Sequence, residues 1–231
     1  MDAAGIMKSL RGGLVVSCQA HAGEPLYATG MMPHMARAAV QGGARAIRCN
    51  GADIAEIRAV VNCPVIGINK RTVEHSEIMI TPTLEDVSVV AASGAEIVAF
   101  DATNRPRPGG QSLGEFITSI RLNFPGLLLM ADISTLEEGV MASRLGVDIV
   151  ATTLSGYTPY TAGQALPNIE LVEKLANRVD IPVIAEGGVA KPEEALDCLR
   201  AGAWAVTVGG AITRPHEITG RFVRAMSEKN Q

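Results

Sequence analysis

Two stretches decide the fold: Ala185-Glu186-Gly187-Gly188 and Val208-Gly209-Gly210-Ala211. Each ends a short apolar run, and both lie in the last quarter of the chain. Paired glycines let backbone N–H groups approach an anion, and a helix starting just beyond adds partial positive charge. A pair of glycines alone is equally a tight turn. Two such pairs, after what count as the seventh and eighth strands, match the loops where barrels hold phosphate.

The count comes from reading outward. Apolar runs that end in a polar or Gly residue cover 14–18, 44–49, 65–69, 96–100, 127–131, 148–151, 183–185 and 205–208. Helical periodicity falls between them, at 33–41, 54–61, 84–92, 113–122, 135–145, 169–178, 192–201 and 217–227. A helix between consecutive strands enforces parallel pairing. Eight such units predict one α/β domain over residues 1–231, a (β/α)8 TIM barrel of the phosphate-binding type, with 1–12 a short lead-in. A doubly wound open sheet would carry GxGxxG after its first strand. The loop there is Gln19-Ala20-His21-Ala22-Gly23-Glu24-Pro25.

Boundary signals agree. Thr135 with Glu138, and more weakly Thr83 with Asp86, have capping-box spacing. Pro192 suits a first helical position. Gly42, Gly94, Gly146 and Gly202 follow helical runs, where a left-handed residue ends a helix. The Pro- and Gly-rich stretch 105–110 reads as a loop on the active-site face.

Composition narrows the class. Hydrophobic residues are 47% and aromatics 3%, so branched aliphatics must fill the core, as in strands buried on both faces. A net charge of −4 offers nothing to nucleic acid or an anionic membrane. Residues 1–13 lack the apolar core of a signal peptide, and no run has membrane-span length. Cys18, Cys49, Cys63 and Cys198 have no metal-ligand or CxxC spacing and read as small hydrophobes near strand ends. A reducing, cytoplasmic setting is expected. His21, His34, His75 and His216 show no HxH or HxxxH spacing, and neither metal nor cofactor is expected.

Polar residues cluster at the strand ends: Gln19, Arg48, Lys70, Asp101, Asp132, Thr153 and Glu186. Any one of them is readily a solvated rim group. Several converging on one mouth are harder to dismiss, because burying charge is costly. Lys70 follows the apolar Val65-Ile66-Gly67-Ile68-Asn69 and precedes Arg71. Burial, and cations such as Arg48 or Arg71, would depress its pKa. A neutral amine there is a base for a carbon acid or a Schiff-base former; a surface lysine at a strand exit is the plain alternative.

Nearly end to end, the chain resembles the N-acylglucosamine-6-phosphate (N-acetylmannosamine-6-phosphate) 2-epimerases of bacterial sialic-acid catabolism. The segments that carry the resemblance include Gly13-Leu14-Val15-Val16-Ser17-Cys18-Gln19, Ile47-Arg48, Pro64-Val65-Ile66-Gly67-Ile68 with Lys70-Arg71, and Asp101-Ala102-Thr103 with Arg105, Arg107 and Pro108. They continue with Met130-Ala131-Asp132-Ile133-Ser134-Thr135, Thr152-Thr153-Leu154-Ser155-Gly156-Tyr157-Thr158, and Val208-Gly209-Gly210-Ala211-Ile212-Thr213-Arg214-Pro215. Family members often follow Lys-Arg with an Asp-Tyr-like pair, where this chain has Thr72-Val73-Glu74-His75.

The resemblance implies reversible inversion at C2 of an amino-sugar phosphate, without metal or nucleotide. It makes Lys70 the catalytic lysine, with Glu186, Asp132 and Arg48 beside it. Gln19, Thr153 and Arg71 then join the substrate contacts, and Gly187, Gly188, Gly209, Gly210 and Arg214 hold the 6-phosphate. It also leans towards a homodimer. An imine-forming phosphate barrel and a non-catalytic phosphosugar-binding barrel are the competing readings.

Overall fold

The eight apolar runs form β1 (Gly13–Cys18), β2 (Ala46–Asn50), β3 (Val65–Ile68), β4 (Ile97–Asp101), β5 (Leu128–Asp132), β6 (Ile149–Ala151), β7 (Val183–Glu186) and β8 (Ala205–Val208). The structure is a computed structural model that describes residues 1–227. Neighbouring strands pair in parallel and in sequence order, and β8 returns to β1 to close the barrel. The expected barrel is therefore the observed one.

Alternation along each strand sorts the side chains into two layers. Val15, Ala46, Ile66, Ile97, Met130, Ile149, Ile184 and Ala205 fill the barrel interior. Their neighbours Val16, Ile47, Val98, Leu129, Val150 and Val206 face the helices outside. The helices that follow β1 to β8 are α2 (Met32–Gln41), α3 (Asp53–Arg58), α4 (Leu84–Ala92), α5 (Leu113–Asn123), α6 (Leu136–Arg144), α7 (Ile169–Ala176), α8 (Pro192–Arg200), and a pair, α9 (Gly210–Thr213) with α10 (Pro215–Ser227).

Both anticipated capping boxes form, and Ser112 with Glu115 adds another at α5. Gly94, Gly146 and Gly202 adopt positive φ after their helices. At α2 the expectation shifts by one residue: Gly42 stays helical at φ −76°, and Gly43 takes the left-handed position at 98°. The Gly42 N–H still reaches the Ala38 carbonyl, so the turn unwinds one residue later.

The first twelve residues are more than a lead-in. They include α1 (Ala3–Leu10), capped by Asp2, and its Ile6 and Leu10 are buried among the interior residues of the barrel. Trp204 donates its indole N–H to the Met7 carbonyl at 2.9 Å, which ties this plug to the residue before β8. The C-terminal helix is the opposite case: no α10 residue in the described chain is buried. Phe222, Val223 and Met226 are 68%, 56% and 70% exposed, leaving an apolar face uncovered.

Cys18 and Cys49 are buried in β1 and β2, whereas Cys198 lies within α8 rather than near a strand end. Among the described residues no helix is long and apolar enough to cross a membrane.

Candidate active site

The alternation that fills the barrel also builds its mouth. Ser17, Arg48, Asp101, Asp132, Glu186 and Thr207 lie two residues beyond interior positions of their strands, so they share the inward face. Thr153 lies two beyond Ala151, and Lys70 two beyond Ile68. A cavity of about 980 Å³ opens there, lined by Gln19, Arg48, Lys70, Thr153, Glu186, both glycine pairs and Arg214.

Arg48 anchors the floor. Its Nη1 and Nη2 donate to the two oxygens of Asp132 at 3.0 and 2.6 Å, and Nη1 also reaches Glu186 Oε2 at 3.1 Å. Thr153 donates its hydroxyl to Asp132 Oδ1 at 2.7 Å. A bidentate guanidinium–carboxylate pair fixes geometry as well as charge. Burial alone would weaken the Arg48 cation, but Asp132 and Glu186 outweigh it and hold the guanidinium charged.

Asp132 is thereby withdrawn. It is 0% exposed, sits behind Arg48 and Thr153, and does not line the cavity. Glu186 does face the cavity. Burial raises its carboxyl to about 6, with Arg48 opposing and Asp132 adding to the rise.

Lys70 is held by its backbone. Its N–H donates to Asn50 Oδ1 at 2.7 Å, and it bridges Ile80, which folds the following loop back across the barrel. Asp86, the third-residue partner of Thr83 in the α4 capping box, grips both neighbours of Lys70: Asn69 Nδ2 at 2.8 Å and Arg71 Nε at 2.6 Å. Burial lowers the Lys70 pKa, and the Arg48 and Arg214 charges lower it further against the pull of Asp132 and Glu186. A larger neutral fraction of amine is what carbon-acid chemistry needs.

The Arg71 guanidinium turns to Asp86 and Thr83 on the outer side, is 40% exposed and does not line the cavity. Adjacent residues of an extended chain point to opposite sides, so Lys70 and Arg71 cannot both face inward. None of Thr72, Val73, Glu74 and His75 lines the cavity either.

The two glycine pairs differ. Gly187 and Gly188 have φ of 109° and 71°, a backbone that other residues rarely adopt. At Gly210 the neighbour is mobile: a Cβ there would meet only the carboxylate tip of the exposed Glu217 side chain. Several wall residues escaped the sequence reading. Ser17 accepts from Gln19 Nε2 at 2.8 Å, Thr207 places a buried hydroxyl there, and Tyr157 packs over Gly187. His21 and His216 also line the wall. Burial lowers the His21 pKa, aided by Lys70 and Arg214. The Asn50 contact had no sequence signal, whereas Ser17 and Thr207 follow from strand parity.

Fold and site together define a (β/α)8-barrel enzyme whose mouth brings together a half-buried lysine of lowered pKa, a glutamate of raised pKa and an arginine fixed by Asp132. The NanE family model, "Putative N-acetylmannosamine-6-phosphate epimerase", matches residues 32–228. A "Putative N-acetylmannosamine-6-phosphate 2-epimerase" of Caldanaerobacter subterraneus is 52% identical, covering 97% of this chain and 95% of that protein. One from Enterobacter sp. (strain 638) is 51% identical over 96% and 95%. The solved N-acetylmannosamine-6-phosphate 2-epimerase of Clostridium perfringens superposes with a TM-score of 0.91 at 48% identity, covering 95% of this chain and 96% of that one. The chain belongs to the NanE family of N-acetylmannosamine-6-phosphate epimerases.

Proposed function

We propose that the protein catalyses reversible inversion at C2 of N-acetylmannosamine 6-phosphate to N-acetylglucosamine 6-phosphate, within sialic-acid breakdown. Family membership supports the substrate. The observation that carries the chemistry is Lys70, an amine with a depressed pKa facing the same cavity as Glu186, Arg48 and both glycine pairs.

The C2 hydrogen is acidic only once the ring has opened to the C1 aldehyde. Glu186, whose carboxyl titrates at about 6, is suited to shuttle the proton that opens it. Lys70 then removes the C2 proton. Negative charge develops on O1 of the planar enediolate, and Arg48, held rigid by Asp132, supplies a preorganised positive charge. A proton returned to the opposite face inverts C2, given either by the Lys70 ammonium after the enediolate rotates or by a second acid such as protonated Glu186. Asp132 and Thr153 act through Arg48 as positioning residues. Arg214 and the glycine pairs bind the 6-phosphate, far from the reacting carbon, and that binding orients C2 beside Lys70.

The exposed face of α10, with Phe222, Val223 and Met226, is suited to pair with a second copy. Phe222→Ser should then shift the mass measured by light scattering from dimer to monomer. Four free thiols suit the reducing cytoplasm.

The reaction is tested by proton NMR of the protein with N-acetylmannosamine 6-phosphate in D2O. Signals of N-acetylglucosamine 6-phosphate should grow as deuterium replaces the C2 proton. Unchanged substrate beside folded protein that binds it would overturn the proposal.

A further inference from the structure

Arg214, read as a phosphate ligand, is already occupied. Its Nη1 donates to Glu217 Oε1 at 2.7 Å, and its Nη2 lies 3.5 Å from Glu24 Oε1. The other oxygen of Glu217 stands over Gly210, in the space that a Cβ there would need. A single carboxylate thus fills both the arginine face and the glycine face of the cradle.

The two acids are held differently. Glu24 is tied into the loop after β1, where its Oε2 accepts the His21 N–H at 3.0 Å. Glu217 stands on the first turn of α10, its side chain 43% exposed, so it can swing out without disturbing buried packing.

We propose that Glu217 is an internal competitor for the 6-phosphate, a carboxylate that must leave Arg214 and Gly210 before substrate binds. The proposal rests on reading Gly209, Gly210 and Arg214 as the phosphate cradle. Competition of this kind scales the apparent affinity for every anionic ligand by the fraction of molecules with the cradle open. It raises KM without touching the chemistry at C2. It also gives the departing phosphate a replacement, since the carboxylate re-enters as product leaves.

The test measures KM and kcat for the wild type and Glu217→Ala, with inhibition constants for inorganic phosphate and for N-acetylglucosamine 6-sulfate. Circular dichroism checks that the variant is folded. Glu217→Ala should lower KM and both inhibition constants by a common factor of about tenfold, the size expected if the cradle is open in about a tenth of molecules. Glu217→Gln, which keeps the size and loses the charge, should fall between.

Three results would overturn the proposal. A raised or unchanged KM in Glu217→Ala would mean that Glu217 only steadies Arg214. A gain confined to the dianionic phosphate, absent for the monoanionic sulfate, would mean charge repulsion without displacement. A fall in kcat equal to any change in kcat/KM would place Glu217 in the chemical step. The cradle itself is tested separately by Arg214→Ala. If that variant binds inorganic phosphate as tightly as wild type, the cradle has been misassigned, whatever Glu217 does.

Discussion

Two groups at the barrel mouth have the same composition, an arginine between two acids, and opposite character. Arg48 with Asp132 and Glu186 has side chains 1%, 0% and 12% exposed, with contacts of 2.6 and 3.1 Å. Arg214 with Glu24 and Glu217 is 22%, 19% and 43% exposed, with contacts of 3.5 and 2.7 Å. The first group stands on strands, and its partners are part of the fold. The second stands on a loop and on α10, and one of its partners, Glu217, is exchangeable. The proposed reaction calls for the rigid group, and the proposed phosphate site, whose ligand arrives and leaves, calls for the other. Lys70 feels both, since Arg48 and Arg214 each depress its pKa.

The largest effect should come where the two groups meet. Lys70→Ala should cut kcat by about 10⁴-fold or more, the upper range for a positioned base, while calorimetry still finds substrate binding. Near-normal turnover would remove Lys70 from the mechanism and assign the C2 proton to another group at the barrel mouth.

The next effect separates the groups by stability. Asp132→Ala strands Arg48 in the interior and should lower unfolding free energy by about 3–5 kcal/mol in urea titrations. Glu24→Ala, at the rim, should lower it by about 1 kcal/mol or less. Equal losses would erase the distinction between a built-in group and an exchangeable one.

A smaller effect follows from Glu186. Its carboxyl titrates at about 6 in the fold against 4.5 when unperturbed. Between those values the folded state binds more protons than the unfolded one, so stability falls as pH rises through that window. Urea titrations should find the wild type losing stability relative to Glu186→Gln from pH 4.5 to pH 6 and little beyond. A flat difference would mean that Glu186 titrates normally.

How much of this was legible depended on range. The eight strands were readable because each apolar run ends where polar residues begin. Strand parity alone would have added Ser17 and Thr207 to the mouth. α1 was missed because its purpose is tertiary: Ile6 and Leu10 are apolar for the sake of strands far along the chain. α9 was missed because four residues beginning with Gly carry no periodicity. Arg214 and Glu217 are three apart and their pairing could be read, but Glu24 reaches them only through barrel closure. Depth was also illegible. Asp132 ends its strand as Asp101 does, yet only the structure places it wholly beneath Arg48.

Arg71 offers the smallest effect and the cleanest discrimination. The sequence puts a second cation next to Lys70, a charge that a phosphosugar enzyme could use. Parity turns it outward, where Asp86 receives it. Burial alone would raise the Asp86 pKa; the hydrogen bonds from Arg71, Thr83 and Asn69 outweigh that and lower it. Arg71 thus belongs with the structural ion pairs, half in solvent, and its removal should cost about 1 kcal/mol or less. Because Asn69 and Thr83 still hold Asp86, Lys70 keeps its place. Arg71→Ala should therefore leave KM within about twofold of wild type, whereas Arg214→Ala, losing one charge-assisted contact to phosphate, should raise it about tenfold or more. A matching rise in Arg71→Ala would mean that the loop swings inward when substrate binds, and that the cation beside the lysine serves the sugar after all.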